Sequence, residues 1–165
     1  MDWRRIRSRS SDRRRRDGAI ETAQRVVAPH PLVESTDEGA RSLGRGYWLA
    51  VRSISRGLVR CRESDGGVAL RLFGFRPALL TFGPPQVAAE PDGVSCTYEI
   101  TGGLLARRAG GTLRLLQTAG RPVELCVSVA GFFPRLGVLY GPFQRRFHAS
   151  VSRRYFSRLI GGEHS

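Results

Sequence analysis

The last quarter of the chain carries a pattern that is typical of one long helix. Between residues 140 and 160 the apolar positions recur every three or four residues, which is the spacing of one face of an α-helix. The pattern therefore predicts a C-terminal helix with one buried stripe and a polar outer side. The predicted stripe consists of Tyr140, Phe143, Phe147, Val151, Tyr155 and Leu159.

The middle of the chain alternates between apolar and polar positions with the period of two that half-buried strands show. Glycine- and proline-containing turns separate the strands, and short links between strands indicate antiparallel neighbours. We therefore predict an α+β fold in which a curved antiparallel meander of about six or seven strands packs on the C-terminal helix. The candidate strands are Tyr47–Ile54, Leu58–Glu63, Val68–Phe73, Ala78–Phe82, Val94–Thr101, Thr112–Gln117 and Val123–Val129.

The N-terminal part carries different signals. Residues 1–18 are rich in arginine and poor in apolar side chains, which predicts a disordered tail, and residues 19–165 are expected to form a single domain. Short helices are expected near the start of that domain. One candidate is Ile20–Val27, and another begins at a capping box in which Ser35 is the N-cap and Glu38 the third residue after it. The second helix is expected to end near Gly44 or Gly46.

The net charge of +13 raises the question of an anionic partner. All 27 basic residues are arginines, as the codon usage of a GC-rich genome would produce, and many lie near the two ends of the chain. Contacts with nucleic acid or an anionic membrane are therefore an alternative that we do not favour over a solvated surface. The residues that would make them are Arg13, Arg14, Arg15, Arg16, Arg145, Arg146 and Arg153.

The sequence carries few signals for cellular compartment, metal binding or catalysis. The sequence has no apolar run long enough to span a bilayer, no secretory signal and three widely spaced cysteines, which predicts free thiols in the cytoplasm. No spacing of histidine and cysteine predicts a metal site, and no glycine motif predicts a cofactor. We name no catalytic residue, so whether the chain is an enzyme stays open. The pair Cys96 and Tyr98 is the first to inspect for chemistry.

Four segments carry a resemblance to a known family: Tyr98–Ala106, Gly110–Leu115, Val129–Leu136 and Phe147–Tyr155. Together with the layout of strands followed by a long helix, they resemble the helix-grip fold of bacterial members of the START and polyketide-cyclase-like (SRPBCC) superfamily. The resemblance implies an apolar or lipid-like ligand held between the sheet and the C-terminal helix. A minority of that superfamily are enzymes with differing catalytic groups, so the resemblance transfers no catalytic residue.

The leading hypothesis is a small-molecule-binding domain with an apolar pocket. The same residues would also form a solid core, and a cyclase-like or hydrolase-like enzyme and an electrostatic binder remain alternatives; the oligomeric state stays open. The expected pocket residues are Val51, Val59, Leu70, Cys96, Tyr98, Leu115, Val127, Phe147 and Val151.

Overall fold

A computed structural model describes residues 8–64, 66–135 and 140–161. Over these ranges the chain is an α+β protein with a large curved antiparallel sheet of nine strands and two helices, one of them C-terminal. The elements in chain order are β1 (Ser8–Arg14), β2 (Ile20–Ala28), α1 (Asp37–Ile54), β3 (Val59–Ser64), β4 (Gly67–Leu72), β5 (Leu80–Phe82), β6 (Gln86–Glu90), β7 (Gly93–Gly102), β8 (Thr112–Thr118), β9 (Val123–Phe132) and α2 (Tyr140–Gly161).

The sheet has the strand order β1-β2-β9-β8-β7-β5-β4-β3, and β6 also pairs with β7. Six of the seven predicted strands are confirmed, but the strand count is higher than predicted because β1, β2 and β6 were not expected. The central part is the expected meander from β7 through β8 to β9. Strand β2 then pairs with β9, so the second strand of the chain lies beside the last one in the sheet.

The N-terminal segment differs from the sequence-based expectation over the described residues. Part of the expected tail forms β1, and Ile20–Val27 lies in strand β2 rather than in a helix. The two strands form a hairpin with the register Arg13↔Glu21, and the Asp17 carboxylate accepts a hydrogen bond of 3.0 Å from the backbone N–H of Ala19 in its turn. Pairing with β2 gives the backbone N–H and C=O groups of β1 hydrogen-bond partners, whereas the composition of this segment predicts that they bond to water.

Helix α1 corrects three predictions at once. It is a single 18-residue helix rather than one of several short ones, its N-cap is Thr36 rather than Ser35, and it includes Tyr47–Ile54, which was predicted as a strand. Thr36 Oγ1 accepts a hydrogen bond of 3.1 Å from the backbone N–H of Gly39. The buried positions recur every three or four residues, so one apolar face covers the sheet. These positions are Gly39, Ala40, Leu43, Gly44, Tyr47, Trp48, Ala50 and Val51.

The predicted long C-terminal helix is confirmed as α2, which packs against α1 and β2. Val151, Ser152, Tyr155 and Phe156 are buried, and the Tyr155 hydroxyl donates a hydrogen bond of 3.0 Å to the backbone carbonyl of Leu43 in α1. The predicted stripe is therefore observed at Val151 and Tyr155, with Phe147 and Leu159 partly buried. The side chains of Tyr140 and Phe143 lie outside the described residues.

Candidate functional site

Three of the predicted pocket residues form a row across the inner face of the sheet. Cys96 on β7 lies opposite Leu115 on β8, and Leu115 lies opposite Val127 on β9. All three are fully buried. Gln24 on β2 continues the row next to Val127. Because same-face neighbours on paired strands contact each other, these side chains form one continuous apolar floor that ends at a polar amide.

The part of this floor beneath α1 is covered by aromatic rings. Trp48 lies with its ring centroid 5.0 Å from that of Phe82 and 5.1 Å from that of Tyr98. Tyr47 contacts Trp48 at 5.2 Å and Tyr155 of α2 at 5.8 Å, both in edge-on geometry. Ring pairs at these distances are the packing of a protein core.

The remaining predicted pocket residues belong to the same core cluster. Val51 on α1 and Leu70 on β4 are buried, and Val59 on β3 is partly buried against the core cluster. On α2, Val151 is fully buried and Phe147 is partly buried. The predicted residues therefore share one core but lie in two parts of it, around α1 and around α2.

The Cys96 and Tyr98 pair is packed rather than activated. A Cβ atom on Gly44 of α1 would overlap the Tyr98 hydroxyl and lie 3.0 Å from Cys96 Sγ, so both side chains press against the helix backbone. Burial raises the pKa of the Cys96 thiol, although contact with the Tyr98 hydroxyl acts in the opposite direction. Burial also raises the pKa of Tyr98 and raises that of Cys61 to about 12. Thiols with raised pKa values are poor nucleophiles at neutral pH.

Two buried hydroxyls on β2 and α2 make no hydrogen bond with any described residue. They are Thr22 Oγ1, whose residue is 8% exposed, and Ser152 Oγ, whose residue is 0% exposed. Thr22 shares the inner face of β2 with Gln24, and α2 packs against β2. Gln117 is different, since its side-chain oxygen accepts hydrogen bonds from Leu32 and Val33, at 2.8 and 3.1 Å.

Sequence reasoning missed Thr22, Gln24 and Ser152. The signal for the first two was the Asp17-Gly18 turn, which commonly joins hairpin strands and would have indicated that Ile20–Ala28 is a strand. Ser152 follows Val151 on the predicted helix and lies one turn before Tyr155 and Phe156, which places it at the centre of the buried face.

The candidate arginines lie on two separate elements. Arg13, Arg14, Arg15 and Arg16 are exposed at the β1–β2 turn, where they line an open depression together with Asp17. Arg15 pairs at 3.7 Å with both Asp17 and Glu21, exposed ion pairs that contribute little to stability. On α2, Arg146 and Arg153 are exposed, whereas the side chain of Arg145 lies outside the described residues.

The described ranges hold neither a metal-binding cluster nor a membrane-spanning helix. No group of three or more histidine, cysteine, aspartate or glutamate side chains there is arranged to hold a metal ion. Neither helix, as far as it is described, is long and apolar enough to cross a membrane. All three cysteines are free thiols.

Comparisons with known proteins found likeness only among solved structures. No family model matches the sequence, and a search of curated proteins gave no match. The crystal structure of CalU16 from Micromonospora echinospora is similar over 95% of this chain and 92% of that chain, with 13% identity and a TM-score of 0.40. The solution NMR structure of CalU16 is similar over 96% of this chain and 75% of that chain, again with 13% identity and a TM-score of 0.40.

Proposed function

We propose that the chain binds a small, largely apolar molecule bearing one polar group, in the part of the core between β2, β9 and α2. The observation that carries the proposal is the pair of unpartnered buried hydroxyls of Thr22 and Ser152. Native proteins satisfy nearly all buried polar groups, because leaving one without a partner costs about 1–3 kcal/mol. A ligand hydroxyl, carbonyl or carboxyl group would supply the missing partner.

The apolar part of the ligand would contact the floor next to these hydroxyls. Val127 and Leu115 extend from Gln24 across β9 and β8, and on α2 Val151 belongs to the same core cluster while Phe147 packs against it. Pockets for small molecules combine such an apolar lining with a few polar groups that fix the orientation of the ligand. We assign Val51, Val59, Leu70, Cys96 and Tyr98 to the part of the core around α1, outside the proposed ligand space.

The substitution Ser152→Leu tests the proposal by filling the suggested space. If a ligand occupies that space, the leucine side chain takes its place, and the variant keeps its melting temperature but no longer binds the neutral apolar dye N-phenyl-1-naphthylamine. Ser157→Leu is the matched control on the same helix, since Ser157 is only partly buried and its hydroxyl already donates to the Arg153 carbonyl at 2.8 Å. The control should bind the dye as the wild type does.

A solid core gives the opposite result. An extra side chain forced into a filled core costs about 1–3 kcal/mol, so Ser152→Leu would then melt at a clearly lower temperature. If that happens and the wild type shows no saturable dye fluorescence, the proposed site does not exist.

A further inference from the structure

The open end of the β3–β4 hairpin, where Val59 pairs with Leu72, exposes a cluster of large apolar side chains. Leu58 is 46% exposed, Leu72 is 45%, Phe73 is 53% and Phe75 is 73%. The backbone N–H of Phe73 donates to the carbonyl of Leu58 at 2.7 Å, and that of Phe75 donates to Leu72 at 2.9 Å. We call these four residues the hairpin tip. Apolar side chains clustered on a surface mark an interaction site more often than single exposed ones do.

The conformation of the tip holds these side chains outward. Phe73 has a φ of +52°, a left-handed conformation that is unfavourable for a residue with a large side chain. The N–H of Phe73 itself is bonded to Leu58 and that of Phe75 to Leu72, so backbone hydrogen bonds hold this conformation. Backbone strain of this kind is concentrated at functional positions.

Arginines surround the tip without acidic partners. Arg60 lies directly opposite Arg71 in the register of β3 and β4, an arrangement that destabilises a sheet. A Cβ atom on Gly74 would lie 3.4 Å from Arg60 Cδ, so the Arg60 side chain runs alongside the tip. Arg71 Nε is buried and has no hydrogen-bond partner in the part of the chain that the structure describes. None of the arginines of this region makes an ion pair with a described residue: Arg56, Arg60, Arg62, Arg71 and Arg76.

We infer that the hairpin tip docks on an anionic lipid surface. The leucine and phenylalanine side chains enter the boundary between headgroups and acyl chains, while the arginines contact the phosphate and carboxylate groups of the lipids. A membrane explains why two arginines lie side by side, since anionic headgroups neutralise both.

Two other occupants fit the tip less well. A second copy of the chain would bring the same unpaired arginines against each other, and like charges repel at such an interface. A single-stranded nucleic acid could stack bases on Phe73 and Phe75, but Leu58 and Leu72 beside them offer aliphatic groups that do not stack. The combination of aliphatic, aromatic and cationic side chains is that of a surface that enters a lipid interface.

The experiment is sedimentation of the full-length protein with two kinds of vesicle, phosphatidylcholine alone and an equal mixture of phosphatidylcholine and phosphatidylserine. We expect binding to the mixed vesicles, weakened by salt, and little binding to the neutral ones. Arg60→Gln with Arg76→Gln should lower the partition coefficient by roughly thirtyfold, the effect expected of two surface arginines. Phe73→Asn with Phe75→Ser should lower it by at least about tenfold through loss of apolar burial.

Matched controls carry the same changes elsewhere on the surface. Leu49→Ser removes an apolar side chain of α1 that is 53% exposed, as Phe73 is, and Arg114→Gln removes an exposed arginine from β8. Both should bind the mixed vesicles as the wild type does, and circular dichroism should show that no variant melts at a lower temperature than the wild type. Equal losses in the controls, or no wild-type binding to the mixed vesicles, would overturn the inference. Binding of a labelled single-stranded oligonucleotide that is lost in the tip variants, without vesicle binding, would replace it by nucleic-acid recognition.

Discussion

At Gly44 the absence of a side chain lets helix α1 approach the sheet. The Tyr98 hydroxyl and Cys96 Sγ occupy the space that a Cβ atom would need, and the Tyr98 ring is held between Trp48 and Phe82. Glycine inside a helix costs about 1 kcal/mol relative to alanine, so its position here reflects packing rather than helix preference.

The substitution Gly44→Ala tests that packing. We expect it to lower the free energy of unfolding by about 1–3 kcal/mol, because the overlap with the Tyr98 hydroxyl outweighs the gain in helix propensity. Urea unfolding measures the change.

The double variant Gly44→Ala with Tyr98→Phe is the control for this prediction. Removing the hydroxyl relieves the overlap, so the combined loss should be smaller than the sum of the two single losses. Additive losses would mean that Gly44 and the Tyr98 hydroxyl do not compete for space.

The N-cap assignment of α1 can be tested by replacing Thr36 and its neighbour Ser35 one at a time. Thr36→Ala removes the hydroxyl that accepts the Gly39 N–H and should cost about 1 kcal/mol in unfolding free energy. Ser35→Ala is the matched control, because Ser35 is exposed and is not the N-cap. Thermal unfolding of both variants decides between the two positions, and a larger loss at Ser35 would contradict the assignment.

The sequence was most informative where one face of an element is buried and the other is not. Strands β7, β8 and β9 were predicted within a few residues because their inner positions are apolar and their outer positions are largely polar. Strand β2 was missed because its inner face includes Thr22 and Gln24, which break the alternation.

Helix α1 was divided incorrectly for a different reason. Gly44 and Gly46 looked like a C-cap, but they lie inside the helix, where Tyr98 and Tyr155 fill the space beside them. Such contacts join residues far apart in the chain, so local propensity cannot predict them.

The candidate site was only partly predictable for the same reason. Leu115, Val127 and Val151 were chosen for their apolar character, which also marks any core residue. Thr22 and Ser152 draw attention only once the structure reveals that their hydroxyls are buried without partners. A missing hydrogen bond is a property of three-dimensional surroundings, and composition or spacing does not report it.

On the scale of the whole molecule, the two proposals concern opposite ends of the sheet. Strand β2 and helix α2 lie towards one end of the strand order, and the β3–β4 hairpin forms the other end. Several strands separate the proposed ligand space from the hairpin tip. The two proposals therefore rest on different residues, and each can fail without affecting the other.

The central claim is that a small molecule occupies the core between β2, β9 and α2. Native mass spectrometry of the purified full-length protein, followed by denaturation of the same sample, tests it most directly. We expect the native mass to exceed the denatured mass by one constant small increment, and we expect Ser152→Leu to lack the increment while remaining folded. A wild-type protein whose native and denatured masses are equal would contradict it.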